Sequence, residues 1–372
     1  MLTDTAILGA GGSERFLRNL LARLAPERYR VDVMQLAQPP ADSARIAQFE
    51  HAHVRLLHRP IEAIYAPRGL AAYRCVRRSV AQGEYDIVQS QHEKSDLINA
   101  CLPRVNGLRR ISNRRDNGFL TSARVRALLR RVSGRFDRIV APSRSIVDVL
   151  VKDERADRAR CRTIVNGVDT ERFRPADAAT RARLRAQLGF ADGECLIGCV
   201  ASFSPVKRHI DLLAAFARAL RRHTQLRLLL IGDGPLRADI SAQIQELGVA
   251  DRVHLLGART DVENILPALD IFALASSTEG MSNALLEAQA CGVPAVATSV
   301  GGNIEVIRAD NGLLVPPAAP GAFAAALCDL AGNTVMRAAF GAAARRTAQR
   351  EFSLAAMVAA YESMYAELAD AH

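Results

Sequence analysis

The alternation of short apolar runs with helical stretches constrains the fold of this chain more than any other feature. From Cys195 onward, the apolar runs are separated by stretches such as HIDLLAAFARALRR and PLRADISAQIQELG. Strands that alternate with helices at this spacing form parallel βαβ units with right-handed crossovers. The second half is therefore predicted to be a doubly wound α/β domain. Its predicted strands are CLIGCVA, LRLLLIG, RVHLLG, DIFALAS and PAVATS.

The first half shows the same alternation, with helical stretches such as SERFLRNLLARL and APRGLAAYRCVRRSVAQG. It is predicted to be a second α/β domain of the same kind. Its predicted strands are RVDVMQL, HVRLLH, YDIVQSQ, RRISN, DRIVAPS and CRTIVNG.

The two halves are joined by a segment rich in proline and charge, TERFRPADAATRARLRAQLGFADGE, with little strand character. We expect an N-terminal domain at 1–170, a linker at 171–194 and a C-terminal domain at 195–350. The proline-free stretch 351–372 is predicted to be a helix that returns toward the N-terminal domain. Two Rossmann-like domains facing each other would leave a cleft lined by the carboxyl ends of both sheets, where such folds bind ligands.

Composition points to a globular chain, with 49% apolar and 24% charged residues. Charges interrupt each apolar run before the roughly 18 residues that a membrane span needs, and the N-terminus lacks the order of a secretory signal. We therefore expect a cytoplasmic protein. The seven cysteines form no CxxC pair and no zinc spacing, so we expect reduced, structural thiols.

The net charge of +10 is distributed unevenly. Residues 1–170 hold 30 Lys+Arg and 18 Asp+Glu, which gives +12, and the rest hold 19 and 21, which gives −2. Such an excess can attract anionic lipid headgroups, a phosphorylated substrate or nucleic acid. Alternatively, it reflects only an arginine-rich composition. No zinc finger, heptad zipper or aromatic-rich basic sheet motif supports nucleic acid, so we expect no such partner.

Near the start, LGAGGSERFLRNLLARL places Gly9, Gly11 and Gly12 before an amphipathic helix. A nicotinamide dinucleotide site would need a small residue at position 14, where the chain has Glu14, and a full strand before the loop. The loop is instead interpreted as a tight turn or as a site for a phosphate or sugar hydroxyl. Because only MLTDTAIL precedes it, we expect that the first strand is truncated.

Two glutamates, Glu279 and Glu287, lie within STEGMSNALLEAQACGVP. The flanking apolar runs read as strands, so NALLEAQA is predicted to be the helix between them, with Ser282 as its N-cap. The backbone N–H groups around Met281, Ser282 and Asn283 would then form an anion site suited to a diphosphate.

If the whole stretch were helical, the two carboxylates would lie about 12 Å apart at 1.5 Å per residue. This is wider than the roughly 5–9.5 Å between acid and base in glycoside hydrolases. The two carboxylates are therefore expected to touch different parts of one elongated ligand. A nucleotide sugar fits, with one carboxylate on the sugar and the other on the ribose hydroxyls. Two solvated glutamates on a helix remain the alternative.

The order Glu-Gly-Met-Ser-Asn, then Ala-x-Ala-Cys-Gly-Val-Pro, between two strands resembles the family 4 retaining glycosyltransferases of the GT-B fold, whose motif is Glu-x7-Glu. Nearly the whole chain shares this resemblance, because further motifs agree in order. They are GAGGSE, VNGVDTERFRP, ASFSPVKRHIDLL, LLLIGDGPLR, VHLLGARTDV and SVGGNIEVI followed by NGLLVPP.

The resemblance implies that Glu287 binds the donor ribose and that Glu279 contacts the donor sugar near the reacting centre. It places Lys207 on the diphosphate, where a cation neutralises the charge of the leaving group. A solvated cation at a helix start is the alternative for Lys207. The remaining donor-binding candidates are Ser202, Met281, Ser282, Asn283, Gly12, Gly257 and Arg259.

The chain departs from the family at Ser202, where many members carry an arginine. The diphosphate is then expected to depend more on Lys207, on helix-end amides, on the loop 301–302 and on a basic residue of the first domain.

Arg114 and Arg115, after a predicted strand, are the candidates for that basic residue, with a structural or acceptor-binding role as the alternative. His92 faces the cleft or caps the next helix, and Asp116 is a weaker candidate.

By the same resemblance, the expected reaction moves a glycosyl group from a nucleotide diphosphate sugar to an acceptor hydroxyl with retention. A same-face attack assisted by the leaving diphosphate is expected, without metal or cofactor. The expected acceptor is a glycan or lipid-linked saccharide of envelope polysaccharide assembly, with peripheral contact to the anionic inner face of the membrane.

Three other classes of protein are also compatible with the sequence. A dinucleotide-dependent oxidoreductase shares the α/β pattern, a nucleotide-sugar epimerase shares the fold, and a non-catalytic nucleotide-sugar or glycan-binding protein would keep the fold without the chemistry.

Overall fold

The computed structural model describes residues 1–9, 11–38, 53–63, 66–82, 85–105, 107–115 and 123–370. The chain divides into two compact units. Unit 1 comprises Met1–Gly167 and Leu354–His372, and unit 2 comprises Val168–Ser353. No helix in the described ranges is long and apolar enough to cross a membrane.

Unit 1 is built on a parallel sheet. Its described strands are β1 (Leu2–Thr3), β2 (Val31–Gln35), β3 (Val54–His58), β4 (Ile87–Gln91), β5 (Arg109–Asn113), β6 (Arg138–Ala141) and β7 (Cys161–Thr163). Their spatial order is β3-β2-β1-β4-β5-β6-β7, with every pair parallel. The direction of strand addition therefore reverses between β1 and β4.

The helices of unit 1 bury apolar stripes on this sheet. In α1, Phe16, Leu17, Leu20 and Leu21 recur at helical spacing and are buried. The first five described helices are α1 (Gly12–Leu21), α2 (Pro67–Ala81), α3 (Glu93–Cys101), α4 (Ala123–Val132) and α5 (Arg144–Glu154), with 3₁₀ turns at Ser133–Arg135 and Arg158–Arg160.

Unit 2 contains a second parallel sheet, in the order β10-β9-β8-β11-β12-β13. Its strands are β8 (Cys195–Val200), β9 (Leu226–Ile231), β10 (Val253–Gly257), β11 (Ile271–Leu274), β12 (Ala295–Thr298) and β13 (Gly312–Val315). Each predicted apolar run contains a strand, so the prediction of two doubly wound, Rossmann-like domains is confirmed. The short strand β13 was not predicted as a strand.

The helices of unit 2 cover both faces of this sheet. They are α6 (Ala178–Gln187), α7 (His209–Leu220), α8 (Arg237–Glu246), α9 (Val262–Ile265), α10 (Asn283–Ala290), α11 (Asn303–Val306), α12 (Pro320–Gly332) and α13 (Thr334–Glu351), with 3₁₀ turns at Pro205–Lys207 and Leu266–Ala268. The core lies between the strands and α7, α8 and α12.

Residues 171–194, which the sequence predicts to be a linker, are part of unit 2 and contain α6. Arg185 on α6 is buried, and its Nη1 lies 3.0 Å from Asp270 Oδ2. The same guanidinium donates to the carbonyl of Ala191 at 3.0 Å. A buried charge pair of this kind holds the segment against the domain. Proline and charge content do not reveal such long-range contacts.

The last helix, α14 (Leu354–Asp370), is part of unit 1. Two buried tyrosines attach it to the sheet. Asn113 Nδ2 donates to the Tyr361 hydroxyl at 3.0 Å, and the Tyr365 hydroxyl donates to Gln89 Oε1 at 2.7 Å. These bonds join α14 to strands β5 and β4, so the C-terminal residues complete the core of unit 1.

Candidate functional site

The strand order of unit 2 reverses between β8 and β11, and ligands of such sheets bind beyond the carboxyl ends of the strands at this point. The segment after β8 carries Lys207, and the segment after β11 carries Glu279. The two segments are joined directly, because the Ser277 N–H donates to the Val206 carbonyl at 2.8 Å. The structure thus places these two predicted site residues at the topological switch.

Glu279 is held by two hydrogen bonds to one carboxylate oxygen. Lys207 Nζ donates to Glu279 Oε1 at 2.6 Å, and Ser276 Oγ donates to the same oxygen at 2.6 Å. The Glu279 side chain is 8% exposed and the Lys207 side chain 22%. Charge-assisted bonds of this length are among the strongest in proteins, so they fix both side chains.

Sequence reasoning missed Ser276. It lies at the end of an apolar run, and only its position next to β11 in space shows that its hydroxyl reaches the carboxylate. Its own backbone is fixed by Thr298 Oγ1, which donates to the Ser276 carbonyl at 2.6 Å. Both side chains are buried.

The loop that carries Glu279 also depends on glycine. Gly301 has φ +51°, and a Cβ atom there would lie 1.7 Å from the Glu279 carbonyl oxygen. The N–H of the next residue, Gly302, donates to the Gly280 carbonyl at 3.1 Å. The loop 301–302 therefore supports the glutamate loop through backbone contact.

The helix predicted between the two glutamates is confirmed as α10. The Ser282 hydroxyl accepts a hydrogen bond from the Leu285 N–H at 3.3 Å, which confirms Ser282 as the N-cap. Met281 and Ser282 are buried, and Asn283 is half-buried. The amino end of α10 thus offers backbone N–H groups and partial positive charge beside the glutamate loop.

Glu287 lies inside α10 and is 5% exposed. Burial raises the pKa of the neighbouring Cys291 thiol, and the negative charge of Glu287 raises it further. A carboxylate this deep is not a solvated surface group, which removes the alternative of two exposed helix glutamates.

The other predicted donor-side residues of unit 2 are more exposed. Ser202 is exposed, and its Oγ lies 3.2 Å from Ser204 Oγ. Gly257 ends β10, and its carbonyl accepts from the Gly232 N–H at 2.8 Å. Arg259 is exposed, and its Nη2 lies 2.7 Å from Asp261 Oδ2.

For Arg114, the structure favours the structural role over the predicted role in a ligand cleft. Its Nε lies 2.9 Å from Asp96 Oδ2, and its Nη2 lies 3.1 Å from Glu154 Oε2. The side chain is 7% exposed. Two carboxylates thus balance its charge inside unit 1, so Arg114 has a structural role and is not a residue that awaits an anionic ligand.

The other candidates of unit 1 lie at the carboxyl edge of its sheet. Gly12 is the first residue of α1, and His92 follows β4 and places its Nε2 2.9 Å from Ser13 Oγ. Arg115 follows β5, and its guanidinium lies 3.7 Å from the centroid of the Phe16 ring. Asp116 lies outside the described residues.

Burial keeps several cysteine and histidine side chains of unit 2 neutral. All seven cysteines are free, and burial raises the pKa of both Cys195 and Cys199 to about 12. Burial likewise lowers the pKa of His209, two residues after Lys207, to about 4. The described residues contain no group of three or more His, Cys, Asp or Glu side chains that could hold a metal ion.

Two family models match the chain. The model described as Glycosyltransferase Family 4 matches residues 10–172, and the model described as Glycosyl transferases group 1 matches residues 194–333.

Individual relatives agree with these matches. The N-acetyl-alpha-D-glucosaminyl L-malate synthase of Bacillus anthracis is 27% identical over 87% of this chain and 76% of that protein. A D-inositol 3-phosphate glycosyltransferase of Segniliparus rotundus is 35% identical over 52% of this chain, and the match spans less than half, 44%, of that relative. The solved structure of Anabaena Alr3699/HepE in complex with UDP covers 98% of both chains with a TM-score of 0.84 at 21% identity, which shows a shared fold.

The close approach of Gly301 to the glutamate loop predicts a selective loss of stability. Gly301→Ala should lower the free energy of unfolding by about 1–3 kcal/mol more than Gly189→Ala, because the new methyl group overlaps a backbone carbonyl. Gly189 is a matched control, since it has φ +83° and a Cβ atom added there would meet no other atom within 4 Å. Urea unfolding of both variants measures the difference. Equal losses would contradict the contact.

Proposed function

We propose that this chain, which two glycosyltransferase family models match over residues 10–172 and 194–333, is a family 4 enzyme that moves a sugar from a nucleotide diphosphate sugar to an acceptor hydroxyl with retention of configuration. The observation that carries the proposal is the pairing of Lys207 with Glu279 at the strand switch of unit 2. Next to this pair, the start of α10 supplies N–H groups, and the same helix carries buried Glu287.

In this proposal, the donor diphosphate lies against Lys207 and the first N–H groups of α10. Its charge grows as the glycosidic bond breaks, and a fixed ammonium together with a helix end stabilises that charge without reorganising. Glu279 would contact the donor sugar, and Glu287 would accept hydrogen bonds from the ribose hydroxyls. The similar structure of Anabaena Alr3699/HepE contains UDP, which supports a nucleotide in a fold of this kind.

The two hydrogen bonds to Glu279 Oε1 support a mechanism in which this carboxylate is held in a fixed orientation. Because Lys207 and Ser276 both bond to one oxygen of the carboxylate, the orientation of the side chain is fixed by the protein itself. Preorganised charges of this kind contribute more to catalysis than mobile ones. We propose that these groups meet the leaving-group charge without a resident metal. An epimerase or a non-catalytic binding protein of the same fold is not favoured, because the named relatives are a synthase and a glycosyltransferase.

The donor contact of Glu287 is tested by calorimetric titration of UDP-, GDP- and ADP-sugars, with NADH as a negative control. One nucleotide sugar should bind the wild type, and Glu287→Ala should weaken it about 10- to 100-fold, because hydrogen bonds to a charged group contribute about 1.5–3 kcal/mol. Glu246→Ala, which removes an exposed glutamate of α8, is the matched control and should bind normally. Equal weakening in both variants, or binding of NADH alone, would contradict the donor assignment.

Retention is tested on the product. NMR of the glycoside formed from the donor that binds should show the same anomeric configuration as the donor, because we propose attack on the face that the diphosphate leaves. An inverted linkage would exclude this mechanism while leaving the donor site intact.

The proposed acceptor is a hydroxyl of an envelope glycan or lipid-linked saccharide, with the enzyme at the inner, cytoplasmic face of the membrane. The +12 charge of residues 1–170 supports this location. On helix α4, Leu128, Arg130 and Arg131 are all exposed, and Leu128 and Arg131, three residues apart, lie on one face. An exposed apolar residue beside basic ones supports contact with an anionic surface.

This location predicts salt-sensitive sedimentation with vesicles that contain phosphatidylglycerol. The combined changes Arg130→Ala and Arg131→Ala should weaken the association, because each basic residue near such a surface contributes about 1 kcal/mol. Arg221→Ala with Arg222→Ala, which removes two exposed arginines of unit 2, is the control. No association at low salt, or equal loss in both variants, would count against a membrane role for unit 1.

A further inference from the structure

Unit 1 has a strand switch of its own, between β1 and β4. Helix α1 follows β1, His92 follows β4, and Arg115 follows β5 by two residues. Because parallel strands end at the same edge of a sheet, these three elements meet where an α/β sheet binds ligands. The Arg115 guanidinium lies 3.7 Å from the centroid of the Phe16 ring, and His92 Nε2 lies 2.9 Å from Ser13 Oγ, so both residues contact α1.

The Arg115 guanidinium is held in place but is not neutralised by a carboxylate in the described part of the chain. Its Nη2 donates to Asn166 Oδ1, and it stacks on Phe16, whose ring lies 5.5 Å from that of Tyr361 on α14. Its Nε and Nη1 are buried, and no described residue meets them at full hydrogen-bonding geometry. Burial lowers the pKa of Arg115, and the interaction of the guanidinium with the adjacent Tyr361 hydroxyl opposes this shift.

The neighbouring residue shows how the chain treats a cation that has only a structural role. Arg114 is paired with Asp96 at 2.9 Å and with Glu154 at 3.1 Å. Buried polar groups in native proteins nearly always have partners, and a buried unpaired charge is costly. Arg115 is stacked and oriented but has no acid among the described residues, whereas Arg114 next to it has two carboxylates; a ligand that supplies the acid explains this difference.

His92 adds a second unsatisfied group at this edge. Its φ of +73° is unusual for a residue other than glycine, and its Nε2 lies 2.9 Å from Ser13 Oγ. Its Nδ1 is buried and has no hydrogen-bond partner among the residues that the structure describes. Strained backbone at a non-glycine position is common at ligand sites.

The helix ends at this edge do not supply the charge. The amino end of α3 is already satisfied by Asp4, whose carboxylate accepts from the Lys94 and Ser95 N–H groups at 2.7 Å each. At α1 the Glu14 carboxylate lies against Gly11, so close that a Cβ on that glycine would be 2.2 Å from Glu14 Oε2. Arg115 is thus the group that would attract an anion here.

We infer that unit 1 binds an acidic group, phosphate or carboxylate, at Arg115, and that this group belongs to the acceptor of the transferase. His92, which contacts the same helix α1, would be a hydrogen-bond partner for hydroxyls of that ligand. Phe16 and Tyr361 act as positioning residues, since one stacks on the guanidinium and the other supports both. This inference rests on the proposed function for the identity of the ligand as an acceptor.

The test uses the full chain with the nucleoside diphosphate whose sugar conjugate binds in the donor titration, added to saturation so that the phosphate-binding groups of unit 2 are occupied. Inorganic phosphate and succinate are then titrated separately by calorimetry, which distinguishes a phosphate-bearing from a carboxylate-bearing acceptor. Wild type should bind at least one of them. Arg115→Met should weaken that binding at least tenfold, while Arg104→Met, which removes an exposed arginine of unit 1, should not.

Tyr361→Phe tests whether weaker anion binding reflects only a folding defect. It keeps the ring that packs on Phe16 and removes only the hydroxyl, so the fold should persist while anion binding weakens by less than in Arg115→Met. Unchanged anion affinity in Arg115→Met, or no binding of either anion by the wild type, overturns the inference. Nucleotide binding in the same samples separates the two proposals: if it persists while anion binding is absent, only the acceptor inference fails, and if no nucleotide binds, the donor proposal fails.

Discussion

The buried Glu279 carboxylate is the interaction on which the candidate donor site depends. One of its oxygens receives both the Lys207 ammonium and the Ser276 hydroxyl at 2.6 Å. A carboxylate that is 8% exposed is stable as an anion only with such partners. The requirement fixes the segments after β8 and β11 against each other, and the backbone of Gly301 closes the arrangement from a third side. The geometry of the switch point is thus a consequence of satisfying one buried charge.

The two units treat their cations differently, and the difference suggests a division of roles. In unit 2, Lys207 is paired with Glu279, so a diphosphate would share a cation whose position is fixed. In unit 1, Arg115 is positioned by stacking and by an amide, without an acid in the described residues. A site with a paired cation, such as Lys207, favours precise placement of the ligand. A site with a cation that has no acid beside it favours selection of ligands by charge.

The fold was largely predictable because strands of a buried parallel sheet are continuous apolar runs, which the sequence shows directly. The exceptions have physical causes. Strand β13 is only four residues long, and the segment 171–194 is ordered by Arg185 through a buried pair with Asp270, a contact over 85 positions.

The candidate site was predictable only in part. The order of Lys207, Glu279 and Glu287 along the chain indicated a donor site, but the ion pair between the first two depends on which strands are neighbours. Arg114 and Arg115 are adjacent and of the same type, so no sequence pattern distinguishes them. Only the positions of Asp96 and Glu154 show that Arg114 is the one paired with carboxylates.

A crystal structure of the chain with its nucleotide sugar is the most direct test of the donor site. We expect a diphosphate oxygen about 3 Å from Lys207 Nζ, with the ribose hydroxyls at Glu287 and the sugar beside Glu279. A nucleotide bound away from the ends of β8 and β11, with Lys207 in contact with Glu279 alone, would contradict it.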